Sequence, residues 1–208
     1  MATTRPRKAP RSPLRPLGGF IHLLARFYQN YRAAIVRASK RKRNRGVDVD
    51  IQLSADGTMW ALHWATIGKN KLHDPEGEFG PRTKIDKLTD EQIRRLRGPR
   101  DQHPHTAQHM VNLAARLKVR LELELKVFVP VYTLREVVFS ESGKLLRHHG
   151  LLQFKVRAAL KDSVGMLTQA HNAGGTTIIS WEDYHGPGIP KVPAWSVIDY
   201  SRGRSHWI

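Results

Sequence analysis

The chain has 208 residues, 40% of them hydrophobic, which suffices for one domain with a sizeable core. It contains no cysteine, so disulfide bonds and thiolate metal sites are excluded. No apolar run approaches the roughly 18 residues that a membrane-spanning helix requires, and residues 1–17 lack the apolar core of a signal peptide. We therefore expect a cytoplasmic protein with no transmembrane segment.

The formal net charge of +17 is unevenly distributed along the chain. Residues 1–47 contain thirteen Lys or Arg and no acid, whereas the rest of the chain contains 22 basic and 18 acidic residues. Residues 1–17 are rich in Pro, Arg and Ser, which predicts a flexible, disordered basic arm. Residues 18–208 then form a single domain. The basic residues within 1–45 could hold nucleic acid non-specifically or an acidic surface, and they also favour solubility.

Two elements are predicted between the arm and the most informative part of the sequence. Residues 18–22 form a short apolar run, typical of a strand, that ends at His22. Residues 30–39 predict a helix with an apolar face of Ala, Ile and Val. The sequence KRKRNR at 40–45 predicts a solvated basic loop.

The segment 47–64 reads VDVDIQLSADGTMWALHW. Asp48 and Asp50 alternate with apolar residues, which predicts a strand with both carboxylates on one side. A turn at 54–57 then returns the chain along a second strand to His63. Two acids and a histidine on adjacent strands favour a hydrolytic site with a hard cation. The alternative interpretation is an edge hairpin with a solvated acidic face.

A long loop and two helices follow the hairpin. Residues 65–87 are polar and show no clear period, which predicts a loop of a length that is often functional. Residues 89–96 predict a helix in which Thr89 and Gln92 form a capping box. Residues 106–117 predict a second helix from the spacing of its apolar residues.

The sequence VRLELELKV at 119–127 alternates strictly between apolar and charged residues. Glu122, Glu124 and Lys126 therefore share one face of a predicted strand. In a barrel, such a polar face would line the interior or the mouth. The same pattern also occurs in ordinary alternating strands.

The last part of the chain alternates strands and helices, which predicts an α/β fold with parallel strands. Residues 129–150 give no clear prediction. The predicted elements are a strand at 151–157, a helix at 161–173 ending at Gly174-Gly175, a buried strand at 176–180, a proline-rich loop at 187–193 and a last strand at 195–200.

Taken in order, these motifs resemble those of the glycerophosphodiester phosphodiesterases, a family of TIM-barrel hydrolases. The resemblance extends over residues 18–200. The matching segments are DVD at 48–50, HW at 63–64, KLTDE at 87–91, HT at 105–106, LELK at 123–126, AHNAGGTTIISW at 170–181 and SVIDY at 196–200.

The first family motif, His-Arg-Gly followed by Pro-Glu-Asn-Thr, is degraded in this chain. His22 lies 26 residues before Asp48, which suits the first His, and Asn30 matches the motif's Asn. Leu23 replaces the Arg, and Tyr31 replaces the Thr.

Two further departures concern the second histidine and the size of the barrel. Trp64 replaces the Asp of the family's His-Asp pair and so removes a carboxylate that would orient His63 or bind metal. The segment from Lys126 to Gly174 is shorter than the remaining strand–helix units of a complete barrel would need. The resemblance therefore implies a (β/α) TIM-type barrel that is shortened or partly degenerate.

The resemblance implies one divalent cation, Mg²⁺ or Ca²⁺, held by Asp48, Asp50 and Glu124. Carboxylate oxygens are the ligands that hard cations prefer, and strand ends can bring three of them together. Glu122 shares the face of Glu124 and is a competing ligand. Asp48 stands where the family has Glu, which retracts its carboxylate by one methylene.

The resemblance also implies roles for four further residues. His22 and His63 would act as general base and general acid on either side of the phosphorus. Lys126 would offset developing phosphoryl charge, and Trp181 would form an apolar wall for the alcohol part. A lone histidine in an apolar strand, as His22 is, also commonly has a purely structural role.

The implied function is metal-dependent hydrolysis of glycerophosphodiesters to glycerol phosphate and an alcohol, with a small-molecule phosphodiester as substrate. One alternative is a catalytically degenerate barrel that acts as a binding or structural component through its basic arm. Another is a phospholipase-D-like activity on choline lysolipids, which would use the same constellation of residues.

Overall fold

The described residues of this computed structural model alternate between helices and strands. They are residues 32–40, 46–68, 72–98, 101–157, 162–174, 176–180 and 197–199. The helices are α1 (Arg32–Ser39), α2 (Asp90–Arg95), α3 (Ala107–Leu117), α4 (Val131–Phe139), α5 (Glu141–His148) and α6 (Ser163–Asn172), with a 3₁₀ turn at Ile85–Lys87. The strands are β1 (Val47–Leu53), β2 (Met59–Ala61), β3 (Leu121–Leu125), β4 (Leu152–Arg157), β5 (Thr176–Ser180) and β6 (Val197–Asp199).

The strands form one sheet in the order β2-β1-β3-β4-β5-β6. Strands β1, β3, β4, β5 and β6 are parallel, and β2 pairs antiparallel with β1 as the second strand of a hairpin. Parallel neighbours require crossover connections, which helices supply between β1 and β3, between β3 and β4, and between β4 and β5. The predicted mixed α/β architecture is confirmed, and the strands that the structure describes pair as an open sheet.

Several predicted features lie outside the described residues. They are the basic arm at 1–17, the strand at 18–22, the basic loop at 40–45 except for its first residue, and the proline-rich loop at 187–193. Among the described helices, none is long and apolar enough to cross a membrane.

Helices α2 and α3 begin at the threonines that the sequence indicates. The Thr89 hydroxyl accepts a hydrogen bond from the Gln92 N–H, and the Gln92 side chain accepts one from the Thr89 N–H, which completes the capping box. The Thr106 hydroxyl accepts a hydrogen bond from the His109 N–H at the start of α3. The caps fix where these helices begin and therefore where the preceding segments must end.

Residues 129–150, which gave no clear prediction, form α4 and α5 around a sharp corner. Ser140 ends α4 and caps α5, because its hydroxyl accepts a hydrogen bond from the Gly143 N–H at 3.1 Å. Gly143 packs so closely against α4 that a Cβ there would collide with the carbonyl oxygen of Val137. The corner therefore requires glycine at this position.

The long loop at 65–87 is packed around its own apolar cluster. This cluster is separate from the main core of the sheet and extends from β2 to the end of α2. It consists of Trp60, Leu62, Ile67, Leu72, Ile85, Leu88, Ile93 and Leu96. The Trp60 indole N–H donates to the Asp90 carboxylate at 2.9 Å, which satisfies a polar group that is otherwise buried. The loop is consequently anchored beside the hairpin.

The main core lies between the sheet and the helices. Every second residue of the central strands is apolar and fully buried in this core: Val47, Val49, Ile51, Leu121, Leu123, Leu125, Leu152, Phe154 and Val156. Because side chains alternate along a strand, the residues between them face the other side of the sheet. These are polar, namely Asp48, Asp50, Gln52, Glu122, Glu124, Gln153 and Lys155.

Two backbone hydrogen bonds fix the chain where β2 ends. The Leu62 N–H donates to the Asp50 carbonyl at 2.9 Å, and the Ala61 N–H donates to the His105 carbonyl at 2.8 Å. The ring of His105 is half-buried and stacks on the ring of His109, with centroids 4.4 Å apart. The segment around His105 thus supports the strand that leads to His63.

We expect His105 to make the stability of the protein depend on pH. Burial, followed by the charges of His109, His103 and Arg32, lowers the pKa of His105 to about 4, whereas an unfolded histidine titrates near roughly 6.5. Between these values the unfolded chain binds more protons. The free energy of unfolding therefore falls as the pH drops from about 6.5 to about 4. The slope of this fall corresponds to a difference of at most one bound proton between the unfolded and the folded chain.

Urea unfolding of the wild type and of His105→Gln across this pH range tests the prediction. The variant should show a flatter pH dependence, and His73→Gln, which changes an exposed histidine, should behave as the wild type does. Equal slopes for the wild type and His105→Gln would contradict it.

Candidate functional site

Two rows of polar side chains cross the face of the sheet opposite the helices. The rows are Asp48–Glu122–Gln153 and Asp50–Glu124–Lys155, as set by the pairing of β1, β3 and β4. Members of one row are directly opposite each other on neighbouring strands, so their side chains can touch. The register of the sheet therefore assembles one polar cluster from segments that are far apart in the sequence.

The charged groups of this cluster are almost completely removed from solvent. The exposed fractions of Asp50 and Glu124 are 1%, and those of Glu122 and Lys155 are 4% and 5%. Buried charges are tolerated only when they are paired and hydrogen-bonded. The positions of the partners therefore determine the cluster's structure.

Asp50 joins a histidine and a lysine at the solvent-facing end of the cluster. Its Oδ2 lies 2.8 Å from Nδ1 of His63, and its Oδ1 lies 2.6 Å from Nζ of Lys126. Lys126 also forms an ion pair with Glu124. The carboxylate accepts a hydrogen bond from Nδ1–H of His63, which fixes the orientation and the tautomer of the imidazole. The His63 side chain is 35% exposed, so the histidine lies at the edge of the cluster that faces solvent.

Lys155 supplies the second cation of the cluster, and the sequence did not reveal it. Its Nζ lies 3.1 Å from Oε2 of Glu124 and 3.8 Å from both Asp48 Oδ2 and Glu122 Oε1. Gln153 completes this part of the cluster by donating a side-chain hydrogen bond to the Glu122 carboxylate. The alternation in LQFKVR at 152–157, with Gln153 and Lys155 on one face, is the signal that could have indicated both.

The environment divides the carboxyl groups by pKa. Burial raises the pKa of Asp50, but the hydrogen bond from His63 and the charge of Lys126 outweigh it, so the pKa lies below its usual range. Burial likewise raises the pKa of Glu124, and Lys155 and Lys126 together reverse the shift. Asp48 differs: burial and the charge of Glu122 hold its pKa well above the usual range.

Lys155 remains protonated within this cluster. Burial alone lowers the pKa of its ammonium group, but the charges of Asp48, Glu122 and Glu124 outweigh burial and raise it. Lys155 is therefore a permanent counter-charge inside the sheet face.

The cluster suits a divalent cation in its chemistry and charge, although it is not arranged as a coordination site. The cluster has four carboxyl groups and two ammonium groups, and carboxylate oxygens are the ligands that hard cations prefer. In the described part of the chain, no group of three or more acidic or histidine side chains is placed to hold a metal ion. The ammonium groups of Lys126 and Lys155 lie among the carboxylates, so a cation could bind only if one of them moved aside.

Five of the seven predicted site residues belong to this cluster. They are Asp48, Asp50, His63, Glu124 and Lys126. Glu122, predicted as a competing ligand, is also present. His22 and Trp181 lie outside the described residues.

His63 is oriented by a carboxylate even though Trp64 stands where the resembled family has an Asp. Asp50 orients the imidazole of His63, although the residue after the histidine is not an acid. Trp64 instead contacts the His63 ring edge-on, with centroids 5.5 Å apart. The histidine is therefore held by one carboxylate and one aromatic ring.

No protein-family model matches the sequence, and no curated protein matches it. Solved structures do match. The chain is similar to a putative glycerophosphoryl diester phosphodiesterase from Silicibacter pomeroyi, with a TM-score of 0.50 and 16% identity over 77% of this chain and 59% of that chain. A putative glycerophosphoryl diester phosphodiesterase from Agrobacterium tumefaciens gives a TM-score of 0.51 and 16% identity over 72% and 57%.

A third similar structure is a glycerophosphoryl diester phosphodiesterase domain from Mycobacterium tuberculosis, with a TM-score of 0.50 and 15% identity over 70% of this chain and 52% of that chain. The chain thus spans between half and three fifths of the length of these structures. At such identities the likeness shows a shared fold, and it confirms the predicted resemblance at that level.

We expect Lys155→Met to destabilise the protein strongly. The change leaves three buried carboxyl groups without their shared ammonium group, and breaking a buried ion pair on one side typically costs about 3–5 kcal/mol. Urea unfolding at pH 7 measures the loss. Adding Glu124→Gln to Lys155→Met should restore part of it, because the carboxylate nearest to the lost ammonium group is then neutral.

Lys144→Met is the matched control. Lys144 pairs with Glu141 at 2.8 Å, but both side chains are largely exposed, so the free energy of unfolding should change little. Equal effects of Lys144→Met and Lys155→Met would show that the buried pairing does not stabilise the fold.

Proposed function

We propose that this chain is a metal-dependent phosphodiesterase that hydrolyses glycerophosphodiesters to glycerol phosphate and an alcohol. The observation that carries the proposal is the pairing of His63 with Asp50 beside Lys126, at the open end of an otherwise buried acidic face. An imidazole oriented by a carboxylate can transfer a proton, and a neighbouring ammonium group can stabilise developing negative charge. Hydrolysis of a phosphodiester uses both functions. The fold shared with structures named as phosphodiesterases of this kind supports the substrate class.

His63 is the proposed general acid. Its Nδ1–H is engaged by Asp50, so the proton that is transferred resides on Nε2. The Asp50 carboxylate stabilises the imidazolium that must exist before Nε2 protonates the leaving alcohol. His22 is the proposed partner base on the other side of the phosphorus.

Lys126 is the proposed electrostatic stabiliser of the phosphoryl group. Lys126 directly follows β3, its side chain is 10% exposed, and its ammonium group contacts Asp50. A small movement would turn one of its three N–H donors toward a phosphoryl oxygen. Charge that develops on that oxygen would then meet a cation already in place. Trp181 is the proposed apolar wall for the alcohol part.

The proposal includes one divalent cation, Mg²⁺ or Ca²⁺, held by Asp48, Asp50 and Glu124, with Glu122 as a competing ligand. When bound, it would polarise a phosphoryl oxygen as a Lewis acid. The excess of carboxyl groups over ammonium groups in the cluster supports this part of the proposal. Lys126 would leave its carboxylate partners on cation binding and become available to the substrate.

We also propose that the open sheet belongs to a shortened TIM-type barrel with its polar rows inside. Residues that alternate between a polar interior and an apolar exterior are typical of barrel strands surrounded by helices. The likeness to longer solved structures supports a reduced version of their fold.

A second candidate function is that of a degenerate barrel that binds but does not catalyse. The internal pairing of the carboxylates with Lys126 and Lys155 favours it, because this pairing compensates much of the cluster's charge without any ligand. The basic residues within 1–45 would then hold nucleic acid or an acidic surface.

We expect glycerophosphocholine or a related diester to release glycerol phosphate in the presence of Mg²⁺ or Ca²⁺, and EDTA to abolish the release. His63→Ala should lower kcat by about 10²–10⁴-fold, the usual contribution of a general acid. His73→Ala, which changes an exposed histidine elsewhere, should leave kcat unchanged. Absence of turnover with either cation in a folded sample would favour the degenerate barrel.

We expect cation binding to be measurable without turnover. A cation present at 100 times its Kd should stabilise the wild type by about 2.7 kcal/mol, and this gain should disappear in Asp50→Asn. Thermal unfolding with and without Mg²⁺ or Ca²⁺ measures it. Asp86→Asn, which changes an exposed carboxylate, is the control and should keep the gain. A gain that survives in Asp50→Asn would place the cation elsewhere.

A further inference from the structure

A cavity of about 380 Å³ opens between α5, the start of β4 and the end of α6. Small-molecule sites in proteins typically enclose roughly 300–1,000 Å³, so the cavity is large enough for a ligand. The described residues that line it are Lys144, Arg147, His148, Leu152 and Gly174. None of these is acidic, and three of them are basic. We call this space the basic cavity.

The basic cavity is separate from the charged cluster in two respects. Leu152 is the first residue of β4 and pairs with Leu121, the first residue of β3, whereas Lys126 directly follows the last residue of β3. At about 3.3 Å per residue, the two ends of β3 are about 13 Å apart. Leu152 also belongs to the apolar core on the helix side of the sheet, and the charged cluster lies on the opposite face. The basic cavity therefore requires an explanation of its own.

The basic side chains reach the cavity from a single stretch of α5. Arg147 and His148 are three and four positions after Lys144, so the three residues are neighbours on one helix face. Lys144 and Arg147 carry like charges, which repel each other at this spacing. Lys144 pairs with Glu141 at 2.8 Å, but both side chains are largely exposed, so this pair is weak and is easily exchanged for another anion. A ligand with negative charge would supply the missing counter-charge.

Contacts on two sides hold Arg147 at the cavity. Its guanidinium group lies over the Phe139 ring, 5.2 Å from the centroid. It also approaches Gly174 so closely that a Cβ there would lie 2.8 Å from Nη2. Among the described residues, no carboxylate forms an ion pair with this guanidinium group. Its position is therefore fixed by an aromatic ring and a glycine, neither of which neutralises its charge.

The helix dipole gives a partial explanation for the basic residues. Cations near the C-terminus of a helix are stabilised by the dipole, and Arg147 and His148 lie in the last turn of α5. The dipole does not explain the cavity beside them or the close approach of Arg147 to Gly174. The carbonyls of residues 145–147 accept hydrogen bonds from the N–H groups of residues 149–151. The main-chain oxygens that would repel an anion at this helix end are therefore already paired.

We propose that the basic cavity binds a small phosphate monoester. Such a group carries a charge of about −1.5 to −2 at neutral pH. The guanidinium fork of Arg147 matches two phosphate oxygens, and Lys144 and His148 can each add a donor. The volume exceeds that of roughly ten water molecules at about 30 Å³ each, which leaves space for an organic part against Leu152. This inference does not depend on the proposed phosphodiesterase activity.

The test is a calorimetric titration of the full chain with phenyl phosphate at pH 7. Phenyl phosphate is a monoester and therefore not the proposed substrate. Arg147→Met should lower its affinity roughly 10–100-fold, the usual contribution of hydrogen bonds between charged groups. Arg147→Lys keeps the charge but loses the fork, so its affinity should be intermediate. Inorganic phosphate, which lacks the organic part, and phenyl sulfate, which carries a single charge, should both bind more weakly than phenyl phosphate.

Arg135→Met is the matched control. Arg135 also lies over the Phe139 ring, at 5.4 Å, but it is not among the residues that line the basic cavity. This variant should bind phenyl phosphate as the wild type does. Circular dichroism checks that each variant is folded. If Arg147→Met does not fold, Lys144→Met changes an exposed side chain and should still lower the affinity roughly 3–10-fold.

Four outcomes would overturn the proposal. Affinity that survives both Arg147→Met and Lys144→Met would place the ligand elsewhere, and affinity that is lost only in Lys126→Met would place it in the charged cluster. Equal losses in Arg135→Met and Arg147→Met would indicate attraction by general positive charge. Inorganic phosphate that binds as tightly as phenyl phosphate would exclude a site for the organic part. Binding to phosphatidylglycerol vesicles or to a single-stranded oligonucleotide, without binding to phenyl phosphate, would assign the basic residues to a membrane surface or to nucleic acid.

Discussion

Buried carboxylates on one face of a parallel sheet are the constraint on which the rest of this structure depends. Asp50 and Glu124 are almost fully buried and ionised, and each is tolerable only because a lysine contacts it. The pairing requires a particular register between β1, β3 and β4. A slip of one residue would turn the charged rows into the helix-packed core and expose the apolar rows. Electrostatics and packing therefore specify the same register.

The same network determines what His63 can do. Asp50 uses one oxygen for the imidazole and the other for Lys126, so it orients the histidine and anchors the ammonium group. One carboxylate therefore sets both the orientation of the imidazole and the position of the ammonium group.

The sequence predicted the parts of the fold that local patterns encode. Period-two alternation gave the polar face of β1 and β3, and Thr89 and Thr106 gave the helix starts. Lys155 was missed because its role depends on which strand lies beside β3, and that neighbour is specified by the packing of the two intervening helices, α4 and α5. The α4–α5 corner was missed because it depends on the close approach of Gly143 to Val137. Whether a sheet stays open or closes into a barrel likewise depends on all of its strands together, so the local pattern of one strand does not determine it.

A site built only from the charged cluster would distinguish phosphodiesters poorly. In the proposed reaction its ammonium groups and its histidine would act on the phosphate and on a leaving oxygen, and every phosphodiester has both. Discrimination between phosphodiesters would therefore have to come from residues that contact the parts of the substrate beyond the phosphate.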